Sequence, residues 1–317
     1  MLRHRTHFRC LQLFHAHASS VLNVPVRNRA SAEQMWGMPR GNPGRHNRRI
    51  PTSTLDAVMT GATITLIGGP TVLIEVGGFR LLTDPTFDPP GTYQPYPGKP
   101  VTFHKTTGPA LTIGEIGPLD AVLLSHDHHF DNLDTTGRSI LPAVKSTYTT
   151  LSGQARLGGN AFGLTPFETK TLEGPGSGRL LITGTPARHG PVGIEPYSGD
   201  VIGFLLGEEE EGDAVYVTGD TVWYEGTAEI ARRYSPKVVI VFAGAAEPRG
   251  RFQMTMDSND ALAAAHAFPN AKILAVHNEG WKHNTESADE LASAFTALGV
   301  GDRLLRLLRG EPLKIEW

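Results

Sequence analysis

The feature that most constrains the fold of this 317-residue chain is a run of metal-binding residue types directly after an apolar segment. Residues 125–134 read Ser-His-Asp-His-His-Phe-Asp-Asn-Leu-Asp, so three histidines and three aspartates fall within ten positions. The preceding residues, 120–124, are short and largely apolar, as in a buried strand. The run therefore begins where the chain leaves a sheet, an edge that exposes side chains yet holds them rigidly.

His126 and His128 in this run have the spacing of two ligands to one ion. On extended backbone, side chains two positions apart point the same way, so both imidazoles can reach one cation. Imidazole together with carboxylate suits zinc, iron(II) or manganese(II). A histidine-rich tract can also bind metal without function, so partners elsewhere in the chain decide between the two interpretations.

Three such partners follow further apolar segments. His189 comes after residues 179–188, Asp220 after residues 214–219, and His277 after residues 272–276. Taken singly, each would as often be an ordinary polar or turn residue. Their shared placement favours one site, because the loops beyond strands of a layered α/β fold converge at one edge.

In the order of these elements, the sequence resembles the metallo-β-lactamase superfamily. Within it, the similarity is to metal-dependent hydrolases that include lactonase-like and N-acyl-phosphatidylethanolamine phospholipase D-like members. The resemblance covers residues 61–317 and includes residues 62–75, the Leu82-Thr83-Asp84-Pro85 segment, the histidine run and the three later residues. It implies an α/β fold, specifically a four-layer αββα sandwich.

The resemblance also implies a set of metal ligands. His126, His128 and His189 would bind one cation, and Asp220 would bridge it to a second. Asp131 and His277 would complete the second site. The cofactor implied is a divalent metal, one or two ions, with zinc expected and manganese or iron as alternatives.

One departure from the family pattern bears on the second site. The pattern is HxHxDH, whereas this chain has one extra residue before Asp131 and places Asn132 where a histidine is expected. Three alternatives follow: His129 becomes a ligand, Asn132 contributes in its place, or a single ion suffices. Asp131 stays a predicted ligand in each of them.

These residues predict a metal-dependent hydrolase. A cation with an open coordination position lowers the pKa of bound water from about 15.7 to near 7 and supplies hydroxide to attack an ester, lactone or phosphodiester. Asp131 is the predicted catalytic residue, orienting the water and passing a proton to the leaving group. The predicted substrate pocket is lined by four residues that follow the candidate ligands: Trp223, Tyr224, Trp281 and His283.

Two other functions fit the same ligands. Iron in this site would suit an oxidoreductase, for example a thiol-linked dioxygenase, and a non-catalytic member would keep the metal for structure or sensing alone. The expected partner is a small-molecule or lipid-like substrate. Nucleic acid is not expected, because residues 51–317 hold 20 basic and 31 acidic residues, and phosphate affinity needs basic surface.

The chain divides into a leader, residues 1–55, and a hydrolase domain, residues 56–317. Residues 1–50 contain nine arginines, no lysine and one acid, Glu33. Such a leader is typical of a mitochondrial transit peptide, a disordered basic arm or a misassigned start. The sole cysteine, Cys10, lies there, so no disulfide is expected and a reducing cytoplasm is the predicted location, or the mitochondrion if the leader is a transit peptide. No transmembrane segment is expected.

The pattern of residues also predicts individual elements. Strands are expected over 66–74 and 79–82, interrupted at Gly68-Gly69 and Gly77-Gly78, and over 213–218, 238–242 and 273–276. Helices are expected over 257–268 and from a capping box at Ser287 to Gly299. Residues 208–212, Glu-Glu-Glu-Glu-Gly, are predicted to form an exposed hairpin tip.

Overall fold

The computed structural model describes residues 61–96, 101–174, 178–208, 212 and 214–317. The predicted leader, residues 1–55, lies outside the described residues, as do residues 56–60 of the predicted domain and residues 209–211 of the predicted tip at 208–212. Within the described part, no helix is both long and apolar enough to cross a membrane.

Two seven-stranded sheets organise the described part of the chain. Its strands are β1 (Gly61–Gly68), β2 (Thr71–Val76), β3 (Phe79–Thr83), β4 (Gly91–Tyr93), β5 (Phe103–Lys105), β6 (Ala121–Leu123), β7 (Ser146–Thr150), β8 (Ala161–Leu164), β9 (Thr169–Glu173), β10 (Arg179–Pro186), β11 (Ile202–Gly207), β12 (Val215–Val217), β13 (Val238–Phe242), β14 (Lys272–Val276), β15 (Leu304–Leu305) and β16 (Pro312–Glu316).

The first sheet has the order β16-β1-β2-β3-β6-β7-β8 and the second β15-β14-β13-β12-β11-β10-β9. Each is mixed: β16 to β3 pair antiparallel and β3 to β8 parallel, while β9 to β12 pair antiparallel and β12 to β15 parallel. β4 and β5 form a separate antiparallel pair. Each sheet therefore has a parallel part whose strand ends can carry ligands at one edge.

Helices cover the outer faces of both sheets. They are α1 (Ile113–Ile116), α2 (Thr135–Ile140), α3 (Leu151–Leu157), α4 (Glu195–Ser198), α5 (Glu225–Arg233), α6 (Ser258–Ala267) and α7 (Ala288–Ala297), with 3-10 turns at Leu141–Ala143 and Gly301–Arg303. α7 begins at a capping box in which Ser287 Oγ accepts from Glu290 N and Glu290 accepts from Ser287 N, an arrangement that satisfies two free amides of the first turn.

Three apolar layers hold the structure together. Ile64, Ile74 and Leu123 of the first sheet share one buried cluster with Phe204 and Val276 of the second. A second cluster lies between the second sheet and α6 and α7, and a third lies under α1 and α2 on the other side. The four-layer αββα sandwich predicted from the resemblance is therefore confirmed.

Most predicted elements are present with end shifts of at most two residues, but the opening strand, predicted from residue 66, begins five residues earlier at Gly61. The glycine pairs after Ile67 and Val76 interrupt the opening meander as expected, and β13 has the predicted bounds. The helix predicted from Asp257 spans Ser258–Ala267, with Asp257 as its N-cap.

Candidate metal centre

The strand ends bring the predicted ligands to one place. β10 and β12 both pair antiparallel with β11, and β12, β13 and β14 pair in parallel, so β10, β12 and β14 end at the same edge. His189, Asp220 and His277 follow these three strands. Gly219 has φ of 63°, and a Cβ there would lie 2.7 Å from the Ile202 carbonyl oxygen, so the turn into Asp220 requires glycine.

Four side chains form the compact part of the site, which we call the three-histidine group: His126, His129, His189 and Asp220. Their ligand atoms all lie within 4.8 Å of one another. Nδ1 of His129 is 3.0 Å from Nε2 of His126 and 3.0 Å from Nε2 of His189. Two ligand atoms bound tetrahedrally to one zinc ion lie about 3.3 Å apart, so this spacing fits a shared cation.

The hydrogen bonds of the rings test whether a cation is needed there. Nδ1 of His189 donates to the Met254 carbonyl oxygen at 2.7 Å, and Nδ1 of His126 lies 2.8 Å from Ser125 Oγ. When both rings donate through Nδ1, both Nε2 atoms are acceptors, and the single proton of His129 Nδ1 can serve only one of them. One cation satisfies all three nitrogens, whereas hydrogen bonds within the group do not.

Asp84 and Ser125 hold the first histidine from behind. Oδ1 of Asp84 accepts from Ser125 N at 2.9 Å and from Ser125 Oγ at 2.7 Å, and that hydroxyl contacts His126 Nδ1. Asp84 is buried and has a φ of 29°, outside the usual range for a residue with a side chain. Such outer partners fix the tautomer and orientation of a metal-binding histidine.

Asp131, Asp220 and His277 form a second, looser arrangement, which we call the carboxylate group. Nε2 of His277 lies 3.6 Å from Oδ2 of Asp131 and 3.6 Å from Oδ1 of Asp220. Among the described residues, His277 Nε2 and Oδ1 of each aspartate are buried without a hydrogen-bond partner. Buried polar atoms normally have partners, so these atoms also fit a cation.

The backbone of His277 is strained. Its φ is 56°, in the left-handed region that residues other than glycine rarely adopt. Conformations of this kind cost on the order of 1–3 kcal/mol and cluster at functional sites. The strain places the ring, which is fully buried, beside the two carboxylates.

Burial keeps the rings of the three-histidine group neutral. Burial, reinforced by the neighbouring rings, lowers the pKa of His126 well below its usual range. Burial and His189 lower the pKa of His129 to about 3. The pKa of His189 is also lowered, chiefly by burial. Neutral imidazole is the form that binds a metal.

The carboxylates keep their negative charge despite their burial. Burial alone would raise the pKa of Asp131, but His283 and His277 hold it below its usual value. Burial opposes ionisation of Asp220 as well, and His277 and His189 lower its pKa. Neutral nitrogens of the three-histidine group thus lie beside anionic oxygens, the donor set expected for zinc, iron or manganese.

His128 lies outside the three-histidine group. Its Nε2 contacts the Ser198 carbonyl oxygen, and its Nδ1 is 3.9 Å from Asp127 and 3.4 Å from Arg156 Nη2. The structure therefore brings together His126, His129, His189 and Asp220, and places Asp131 and His277 beside them, but turns the ring nitrogens of His128 toward α3 and α4. His129 holds the position that the spacing rule gave to His128.

The predicted pocket residues divide in the same way. His283 lines the cleft over the site, and Trp281 is buried behind it, stacked on its ring with centroids 6.2 Å apart. Trp223 instead packs toward the core under α5 and α6, and Tyr224 lies under Arg188, 4.5 Å from the guanidinium carbon to the ring centroid. Neither is among the residues that line the cleft.

The cleft over both groups is large enough for a small molecule. Its volume is about 820 Å³, at the upper end of ligand-pocket volumes. Its walls and rim include the aromatic and apolar residues Tyr96, Val101 and Phe103 and the charged residues Glu247, Arg249 and Lys282. Sequence patterns gave no signal for these rim residues, because they lie on loops that only the fold brings together.

Comparison with known proteins agrees with the geometry. A family model described as a β-lactamase superfamily domain matches residues 79–278. A UPF0173 metal-dependent hydrolase of Herpetosiphon aurantiacus is 30% identical over 196 residues, which cover 59% of this chain and 73% of that protein. The UPF0173 protein YddR of Bacillus subtilis is 27% identical over 247 residues, which cover 76% of this chain and 95% of YddR.

Among solved structures, an isothiocyanate hydrolase from Delia radicum gut bacteria superposes with a TM-score of 0.69. It is 23% identical in sequence, and the match covers 80% of this chain and all of that one. At this identity the likeness shows a common fold and says nothing of a common substrate.

Proposed function

This chain belongs to the β-lactamase superfamily and, within it, to the UPF0173 metal-dependent hydrolases, and we propose that it cleaves a small or lipid-like ester, lactone or phosphodiester. The single observation that carries the proposal is the meeting of three imidazole nitrogens: Nδ1 of His129 lies 3.0 Å from Nε2 of His126 and 3.0 Å from Nε2 of His189. The lactonase-like and phospholipase D-like branch remains a prediction from the residue pattern.

The residues have separate roles in this proposal. His126, His129 and His189 would hold the primary cation, which we propose is zinc, and Asp220 belongs to both the three-histidine group and the carboxylate group. A cation bound there supplies Lewis acidity and lowers the pKa of a water molecule to near 7. His129 takes the role that the sequence pattern gave to His128.

Asp131 is the proposed proton-handling residue. It is buried at the floor of the cleft, its pKa is held below the usual value, and its Oδ1 has no hydrogen-bond partner among the described residues. An ionised carboxylate in that position can orient an attacking water and pass its proton to the leaving group. Nε2 of His277 lies 3.6 Å from this carboxylate and 3.6 Å from that of Asp220.

The cleft supports an amphipathic substrate. Its apolar wall suits an acyl or alkyl part, and Arg249 and Lys282 at its rim suit a polar or anionic part. We propose a cytoplasmic location, since Cys10 is the only cysteine and the folded part needs no oxidising compartment.

Metal analysis together with a substrate panel tests the proposal. Protein purified without chelator should carry stoichiometric zinc or manganese, and should turn over at least one ester, lactone or phosphodiester. Chelation should abolish that turnover and metal should restore it. Stoichiometric iron with oxygen consumption would instead identify the oxidoreductase, and full metal loading without any turnover would identify a non-catalytic member.

A further inference from the structure

We propose that His283 is a direct ligand of a second cation, bound between His283 and the carboxylate group. This inference rests on the proposed function, since it presumes that the three-histidine group holds the first ion. It assigns a metal-binding role to a residue that neither the family's HxHxDH pattern nor the spacing of the histidine run includes.

The second site needs a ligand that the histidine run does not supply. Asn132 stands where the family pattern has a histidine, and His129 is already engaged with His126 and His189. An amide oxygen suits magnesium, calcium or manganese better than zinc, whereas imidazole suits zinc and iron. A borderline-soft cation at the carboxylate group would therefore need a further imidazole from another part of the fold.

His283 approaches the carboxylate group from the loop after β14. Its Nε2 is 2.8 Å from Oδ2 of Asp131, the same oxygen that lies 3.6 Å from Nε2 of His277. Two ligand atoms at right angles on one ion are about 2.9 Å apart when each bond is 2.0–2.1 Å long. The close approach of His283 to Asp131 therefore fits neighbouring ligands of one cation.

Both imidazoles approach the same carboxylate oxygen of Asp131. The ring centroids of His277 and His283 are 6.5 Å apart and the ring planes are 83° apart. Two imidazoles bound at opposite positions of one ion have centroids about 6.4 Å apart. His277 Nε2 has no hydrogen-bond partner among the described residues, so this nitrogen is available to bind a metal ion.

The surrounding side chains fix the ring of His283. It stacks on buried Trp281 and meets the edge of Phe103 at a centroid distance of 6.0 Å. The backbone is held as well, because Glu247 N donates to the His283 carbonyl oxygen at 2.9 Å. A ring held in this way loses little side-chain entropy on binding a metal, as a preorganised ligand should.

A second interpretation explains the same hydrogen bond. His283 would then only donate to Asp131 from outside the coordination sphere, as many partners of metal-bound carboxylates do. Loss of activity in a variant cannot separate the two roles, because removing a metal ligand and removing a hydrogen bond to Asp131 would both impair the site. The test must therefore count the imidazoles that are bonded directly to metal.

Cobalt(II) substitution of the full-length protein provides that count. Proton NMR of the cobalt protein shows strongly shifted ring N–H resonances only for histidines bonded to the paramagnetic ion. With two cobalt ions per chain, we expect five such resonances, three from the three-histidine group and one each from His277 and His283. His283→Ala should bind the second ion at least about 100-fold more weakly and should lose the resonance of residue 283.

His104→Ala is the matched control, because His104 is an exposed histidine that lines the same cleft, and its ring lies 3.1 Å from Thr92 Oγ1 rather than beside the candidate ligands. It should keep both ions and all five resonances. Circular dichroism and a thermal melt of His283→Ala show whether the variant is folded. If it is not folded, the number of shifted resonances in the wild-type protein still tests the inference.

Each outcome decides the inference. Five shifted resonances in the wild type support it. Four resonances with two bound ions, or a single bound ion with three resonances, overturn the assignment of His283 and leave the proposed hydrolase intact. A wild-type protein that binds no cobalt at all overturns the proposed function together with the inference.

Discussion

The two sides of the histidine run differ in what they contact, although their residues are close neighbours in the sequence. The inner side, His126, His129 and Asp131, faces the ligand atoms of the second sheet. The outer side, Asp127 and His128, is bound to helices: Arg156 of α3 donates to Asp127 from Nε at 3.0 Å, and His128 contacts the Ser198 carbonyl oxygen of α4. The inner side therefore lies beside the candidate metal ligands, and the outer side fixes the loop to α3 and α4.

This contrast shows why the two-residue spacing rule failed for His128. That rule needs extended backbone, but the chain bends at Asp127 and His128, between the two histidines that meet. In a turn, residues three apart come to the same side, as they do on a helix. His126 and His129 therefore meet, and His128 points the other way.

The largest effect is expected from His129→Ala. Removing this nitrogen should release the primary cation and reduce the hydrolytic rate at neutral pH at least about 10,000-fold, since the activated water is lost with the ion. Metal content and turnover measure both. His128→Ala is the matched control and should keep its metal and most of its rate. Loss of metal in His128→Ala but not in His129→Ala would mean that His128, and not His129, is the ligand.

A smaller but still large effect is expected from Asp131→Asn, which keeps the size of the side chain but removes its charge. The rate should fall about 100- to 1,000-fold because a proton acceptor is lost, while the melting temperature changes little. Turnover and a thermal melt on the same preparation check this. An unchanged rate would remove Asp131 from the proposed mechanism.

Ser125→Ala tests whether the inner side depends on support from behind. The variant loses the hydroxyl between Asp84 and His126, and the affinity for the primary cation should fall about 10- to 100-fold. Competition with a chelator of known affinity measures this. Thr147→Val removes another buried hydroxyl, on the neighbouring strand β7, and should leave metal affinity unaltered.

The smallest effect is expected on the outer side, from Asp127→Asn. Burial alone would raise the pKa of Asp127, but His128 and Arg156 lower it to about 2. Since the folded-state pKa lies below the ordinary value of 3.8, the stabilisation is full above pH 3.8 and is lost as pH falls toward about 2. Because Arg156 is half-exposed, the ionised Asp127 should stabilise the folded state by only about 1 kcal/mol at pH 7.

Denaturant unfolding of wild type and Asp127→Asn at several pH values checks this expectation. The free energies of unfolding should differ at pH 7, and the difference should shrink below pH 3.8 and vanish as the pH falls toward about 2. Turnover at pH 7 should stay within about twofold of wild type. A large loss of activity with unchanged stability would mean that the outer side takes part in the chemistry.

Much of the fold follows from local signals in the sequence. Glycine pairs mark the turns on either side of β2, and Asp257 and Ser287 begin α6 and α7, because these residues satisfy local backbone requirements that act in any context. The αββα arrangement itself came from the resemblance, since periodicity alone does not order strands within a sheet.

The site was predictable at the level of strand ends and not at the level of side-chain direction. His189, Asp220 and His277 follow apolar strands, a pattern visible in the sequence, and parallel pairing brings them together. The directions of His128 and Trp223 depend on a local turn and on packing against helices. Those contacts join residues far apart in the chain, which spacing rules do not reach.

The central claim is that one cation is bound by His126, His129 and His189. Crystals of the protein, measured at the absorption edges of zinc, manganese and iron, give the most direct test. We expect an anomalous peak within bonding distance of His126 Nε2, His129 Nδ1 and His189 Nε2. A peak beside His128, or no peak at these three nitrogens in protein that turns over substrate, would contradict it.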